Sequence, residues 1–101
     1  MDRPRRRLQI RFDSKVGSGV GFTENVSAGG LLLHSNMVCV PGTTINGTLQ
    51  LPGNQEIRFQ AEVRWSRKTT GPLAQFMKNS MGLRFLTPPD ERFYQLLVKP
   101  E

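Results

Sequence analysis

One cysteine, one histidine, one tryptophan and one tyrosine are all that this 101-residue chain carries of four reactive or recognition-prone residue types. The lone Cys39 excludes an internal disulfide and a four-cysteine zinc site. It lies in the apolar stretch Met37-Val38-Cys39-Val40, so a buried thiol is expected. The lone His34 leaves a zinc site short of ligands, and no metal or other cofactor is expected. A hydrolytic triad would set that histidine beside a serine and a carboxylate, yet no Gly-x-Ser-x-Gly elbow is present. The Gly-x4-Gly-Lys-Ser/Thr phosphate loop is missing too. An enzyme is not expected, and His34 reads as a strand-end residue with a local hydrogen bond. Long apolar runs are also absent: nothing approaches the ~20 residues that cross a bilayer. The opening Met-Asp-Arg-Pro-Arg-Arg-Arg has no apolar core of the kind a secretory signal needs. The expectation is a cytoplasmic protein without membrane insertion.

Acidic residues are scarce as well. Eight Asp and Glu face fourteen Lys and Arg, a net charge of +6, which points to an anionic partner. Five of those basic residues, Arg3, Arg5, Arg6, Arg7 and Arg11, fall within the first eleven positions. By itself such a cluster reads as a solvated basic tail.

The rest of the chain alternates. Ile57, Phe59, Ala61, Val63 and Trp65 interleave with Arg58, Gln60, Glu62 and Arg64, so one strand face is core and the other solvent. On this reading Trp65 belongs to the core, with base stacking as the alternative, and Arg64 is a solvated strand residue. Shorter alternations occur at Leu8-Ile10-Phe12, Val20-Phe22, Ile45-Gly47-Leu49-Leu51 and Met81-Leu83-Phe85. Leu31-Leu32-Leu33 suggests a strand covered on both faces at one end. Gly17-Ser18-Gly19 is expected to separate the first two strands, and Pro52-Gly53-Asn54 to join two long ones as a hairpin. Residues 67–80 read as a long loop, whose Phe76 and Met77 either meet a protein partner or close one end of the fold. After Pro88-Pro89, Phe93, Leu96 and Leu97 recur at helical spacing, with Asp90 and Glu91 at the start and Lys99 at the end. Six strands and one C-terminal α-helix in a chain of this length predict a single all-β domain, a small six-stranded antiparallel β-barrel closed to hide its edges. Residues 1–7 are expected to form a flexible arginine-rich arm, and residues 8–101 the barrel with its helix.

The turn Asn25-Val26-Ser27-Ala28-Gly29-Gly30 carries the remaining signal. Asn and Ser two residues apart at a strand end aim an amide and a hydroxyl at one object, and the glycines let a ligand approach the backbone. Alone, the hexapeptide would pass for an Asx or Ser turn.

Combined with the arginines, it resembles the PilZ domain family, whose signatures are Arg-x3-Arg followed by Asp/Asn-x-Ser-x2-Gly. Arg3 and Arg7 match the first; Asn25, Ser27 and Gly30 match the second. Leu51-Pro52-Gly53, Ala61-Glu62-Val63-Arg64-Trp65 and Met81-Gly82-Leu83-Arg84-Phe85 look like the family as well. Arg7 and Arg11 satisfy the arginine spacing too, but Arg11 alternates with Ile10 and Phe12 inside the first strand, so that register ranks second. The resemblance implies a non-enzymatic bacterial second-messenger receptor for cyclic di-GMP, with an arm that wraps over ligand resting on the barrel. Residue chemistry fits: arginine is bidentate toward phosphate and toward guanine O6/N7. Arg5, Arg6, Gly29, Arg64 and Trp65 are possible additional contacts. One ligand or an intercalated pair are both open. The family also implies an unidentified protein partner and control of motility, attachment or exopolysaccharide, the traits of biofilms. The alternatives are a PilZ-like interaction module that binds no nucleotide, and a barrel for single-stranded nucleic acid. The latter needs exposed aromatic residues; the alternation buries Phe59, Trp65 and Phe85, so nucleic acid is not an expected partner.

Overall fold

The computed structural model describes residues 7–69 and 79–98, with the side chains of 96–98 excepted. Phe76, Met77 and Lys99, and the side chains of Leu96 and Leu97, therefore lie outside the described residues.

Each alternating segment forms a strand: β1 (Gln9–Ser14), β2 (Gly17–Val26), β3 (Gly30–Ser35), β4 (Thr44–Leu51), β5 (Gln55–Arg67) and β6 (Asn79–Phe85), followed by the helix α1 (Glu91–Val98). All pairings are antiparallel, and the order β1-β2-β3-β6-β5-β4 closes on itself. Closure comes from β1 lying against β4, with Ile10 opposite Leu49 and Phe12 opposite Gly47. The six-stranded barrel with one C-terminal helix is thus as the sequence predicts.

Inward side chains fill the barrel: Ile10, Phe12, Leu31, Leu33, Ile45, Leu49, Ile57, Ala61, Val63 and Met81 are all buried. Cys39 is buried among them, its N–H 3.3 Å from the Met81 sulfur. One end is stoppered by aromatics. Phe59 meets Phe85 edge to face at 5.7 Å, and Phe85 meets the fully buried Phe93 of α1 at 5.2 Å. Phe85 itself is only half buried, contrary to the alternation, because it links barrel to helix at the rim. The helix begins at an Asp cap: the Asp90 carboxylate accepts the Arg92 N–H at 2.8 Å.

Arg67 belongs to β5, and Asn79 and Ser80 to β6, rather than to the loop expected over residues 67–80. Three further expectations are corrected. The first turn is Lys15-Val16, since β2 already starts at Gly17, which pairs with Ser14. Val20 and Phe22 face outward, 47% and 42% exposed, while Gly19 and Thr23 take the inner face. The ring of Phe12 occupies the space that a side chain at position 19 would need, so the core there is filled from β1. Trp65 is not a core residue either: it is 45% exposed. A bulge between Val63 and Trp65 adds one residue to β5, so the alternation that buries Ile57 through Val63 reverses before it reaches the indole.

Candidate functional site

A second bulge lies across the barrel surface, in β2 between Thr23 and Asn25. Upstream of it Thr23 points inward; downstream Val26 does, and Asn25 borders the outer surface. The two bulges flank one stretch of sheet. Asn25 of β2 sits opposite Leu32 of β3, Leu32 opposite Gly82 of β6, and Gly82 opposite Trp65 of β5. Over this row opens a cleft of about 340 Å³, bordered by Asn25, Ser27, Gly29 and Gly30 of the turn and by Arg64 and Trp65 of β5. Of the expected site residues, these six are brought together. Arg64, the residue added by the bulge, is exposed beside Trp65, and its guanidinium lies 3.7 Å from the half-buried Glu62 carboxylate.

The turn is held by its own backbone. The Ser27 N–H donates to the Gly30 carbonyl at 2.9 Å, and the Ser27 hydroxyl donates to the same oxygen at 3.2 Å. The lone pairs of that hydroxyl stay available to a ligand donor. The Gly29 carbonyl accepts from the Phe85 N–H at 2.9 Å, tying the turn to β6. Gly30 cannot carry a side chain, because a Cβ there would collide with the Leu83 carbonyl of the neighbouring strand. Its place in the signature is explained by strand packing before any ligand is invoked.

Arg7 is the described end of the arginine segment. Arg3, Arg5 and Arg6 lie outside the described residues. Thr23, which the sequence reading passed over, anchors this end: its N–H donates to the Leu8 carbonyl and its hydroxyl accepts from the Leu8 N–H, both at 2.9 Å. Since Gln9 pairs with Phe22 antiparallel and Leu8 bonds to Thr23, Leu8 and Arg7 run beside β2 in the direction of Asn25. The Arg7 guanidinium stacks 4.7 Å above the exposed Phe22 ring. Arg7 is not among the residues that border the cleft, and neither is Arg11. Arg11 is a strand residue opposite Val20 and Thr48, ion-paired with Glu56 at 2.9 Å.

Beside the cleft, His34 Nε2 is bonded to the Glu24 carboxylate, and the Ser80 hydroxyl is 3.3 Å from Nδ1. Among the described residues no group of three or more His, Cys, Asp or Glu could hold a metal ion. No described helix is long and apolar enough to cross a membrane, which says nothing of strands.

Leu32 and Gly82, the floor of the cleft, escaped the sequence reading. The signal for Gly82 was present, for an isolated glycine inside a strand marks a bulge or a close approach.

Comparison with known proteins agrees with this architecture. Among solved structures the chain is similar to the Bacillus subtilis inhibitor of motility (MotI/DgrA), with a TM-score of 0.71 at 20% sequence identity. The alignment covers 94% of this chain and 46% of that one, so the chain spans about half of the protein it resembles. No curated protein matches it by sequence. The family model of the PilZ domain matches residues 2–99, nearly the whole barrel with both signature segments. The chain therefore belongs to the PilZ domain family, whose members are regulatory receptor domains for cyclic di-GMP.

Proposed function

We propose that this chain binds cyclic di-GMP in the cleft over Leu32 and Gly82 and relays occupancy to a protein partner. The observation that carries the reading is the grouping of Asn25, Ser27, Gly29, Arg64 and Trp65 around one open cleft. In this reading Arg3 and Arg7 supply the charge. Their guanidiniums clamp phosphate or the O6/N7 edge of a guanine. Asn25 and the free lone pairs of Ser27 accept from the guanine N–H groups on the opposite edge. Gly30 shapes the turn, Trp65 offers an exposed ring to a base, and Arg64 a further phosphate contact. Arg5 and Arg6 add to the local positive field. Nothing here calls for bond-making, and the role is that of a receptor rather than an enzyme. The ligand shifts the arm only by its differential affinity for the two arm states. Control of motility is the process to test first, by analogy with the name of the Bacillus subtilis protein.

Titration calorimetry of the wild type, Arg7→Ala and Ser27→Ala with cyclic di-GMP tests this directly. Hydrogen bonds to charged groups contribute roughly 1.5–3 kcal/mol, so Arg7→Ala should weaken binding more than tenfold. Ser27→Ala should weaken it while leaving the turn intact, since the Ser27 N–H still donates to Gly30. A wild type that shows no heat at high micromolar ligand would falsify the receptor reading and favour an interaction module without nucleotide.

The outward Trp65 and Phe22 also remove the reason for setting single-stranded nucleic acid aside, since two aromatics are exposed on a barrel of net charge +6. That reading predicts steeply salt-dependent binding of random oligonucleotides in the same titration, with no response to cyclic di-GMP.

A further inference from the structure

Gly82 stands in the middle of β6, where a glycine weakens a strand and is retained for a close approach. The three nearest atoms that a Cβ would meet there all belong to one side chain. They are Nε1 of Trp65, its Cε2 at 2.6 Å and its Cδ1 at 2.8 Å. The indole therefore lies down over the Gly82 backbone, in the space that any other residue would fill. Backbone does not crowd this position as it crowds Gly30, where the nearest atom is a carbonyl oxygen of the next strand.

The row across the sheet shows what this does to the cleft. Neighbouring strands are about 4.8 Å apart, so Trp65 and Asn25, three strands removed, stand about 14 Å apart at the backbone. An indole lifted off the sheet would leave that span open and shallow. An indole lying over Gly82, the position between Trp65 and Leu32, shortens that span from one side and leaves Leu32 and Asn25 at the other. We infer that Gly82 is a positioning residue of the ligand cleft: it seats the Trp65 indole flat on the sheet and so sets the face on which a guanine of the ligand rests. This rests on the receptor reading above and adds to it a residue that acts through Trp65.

Trp65 is the only tryptophan in the chain, so its emission reports the seat without interference. In Gly82→Ala the emission should change, because the methyl displaces the ring from the sheet, and affinity for cyclic di-GMP should fall about tenfold, the scale of one base–aromatic stack. If Gly82 acts through Trp65, the same substitution made in Trp65→Ala should cost no further affinity, since the two positions are coupled. An unchanged emission with wild-type affinity in Gly82→Ala overturns the inference. So does an equal loss of affinity in both backgrounds, which would mark Gly82 as a general packing residue. Should Gly82→Ala fail to fold, the Trp65→Ala/Gly82→Ala pair is still expected to fold, because the clashing atoms are gone; its failure also overturns the seat. A wild type indifferent to cyclic di-GMP defeats the receptor reading and the ligand role with it. The emission arm then still decides the seat, so the two failures are told apart.

Discussion

Gly30, Gly29 and Arg11 give different answers to the same question, what a substitution there would report. At Gly30 a methyl meets a backbone carbonyl that belongs to β6 and cannot move alone. Gly30→Ala should destabilise the barrel by about 1–3 kcal/mol, read as a lowered midpoint in urea, and any loss of ligand affinity would follow from that. At Gly29 a Cβ meets nothing within 4 Å, so Gly29→Ala should leave the midpoint unchanged within about 0.5 kcal/mol. Gly29 is thus the cleaner probe of contact at the rim of the cleft. Arg11 answers the question of register. Its ion pair with Glu56 joins two exposed side chains, and such pairs are worth at most about 1 kcal/mol. Arg11→Ala should cost little stability and leave ligand affinity within about twofold. A tenfold loss in calorimetry would shift the arginine motif from Arg3 and Arg7 to Arg7 and Arg11.

Among the elements, α1 is attached in a pH-sensitive way. The Asp90 carboxylate caps the helix and also receives the Arg92 guanidinium at 3.1 Å, while Arg92 reaches back to Gln55 at 3.2 Å and to the Glu56 carbonyl at 3.0 Å. Hydrogen bonds from the Arg92 side chain and N–H hold the Asp90 carboxyl below its ordinary range, and Asp90 in turn raises Arg92. A depressed carboxylate adds stability above its unfolded pKa and loses it as pH falls through the folded value. The attachment of α1 should therefore loosen below about pH 4, seen as a shift of the Arg92 amide resonance in an NMR titration. In Asp90→Ala that acid transition should vanish, and the helix should fray at neutral pH. Strand elements carry a different lesson. The existence of β5 was legible from Ile57, Phe59, Ala61 and Val63, and the side taken by Trp65 was not. A bulge is decided by which residues the partner strand presents, and β6 is distant in sequence. Val20 and Phe22 were misassigned for a related reason: two apolar residues two apart fix a face only if the core beneath is empty, and Phe12 had already filled it.

The whole molecule depends on closure between β1 and β4, segments far apart in the chain. Phe12 sits at that seam, 2% exposed. Phe12→Ala should cost about 3–5 kcal/mol, a large share of the 5–15 kcal/mol that holds a domain folded, and urea unfolding should show it as one cooperative transition at lower denaturant. An all-β barrel built from such non-local pairings should fold in milliseconds to seconds rather than faster, measurable by stopped-flow refolding.

Alternation, turn residues and the capping aspartate acted within a few residues of themselves, and for that reason the six strands, α1 and the two signature segments could be read directly from the chain, while closure into a barrel followed from the number of strands and the need to hide their edges. Family membership was legible for the same reason, because the signatures are local and ordered. The cleft was not. Its floor of Leu32 and Gly82, the outward turn of Trp65 and the anchoring of Leu8 by Thr23 all depend on which strand lies beside which, and in what register. Only the closed sheet decided that. A single extra residue in β2 and another in β5 turned two side chains to the same outer surface, and an empty position on β6 gave one of them a place to lie.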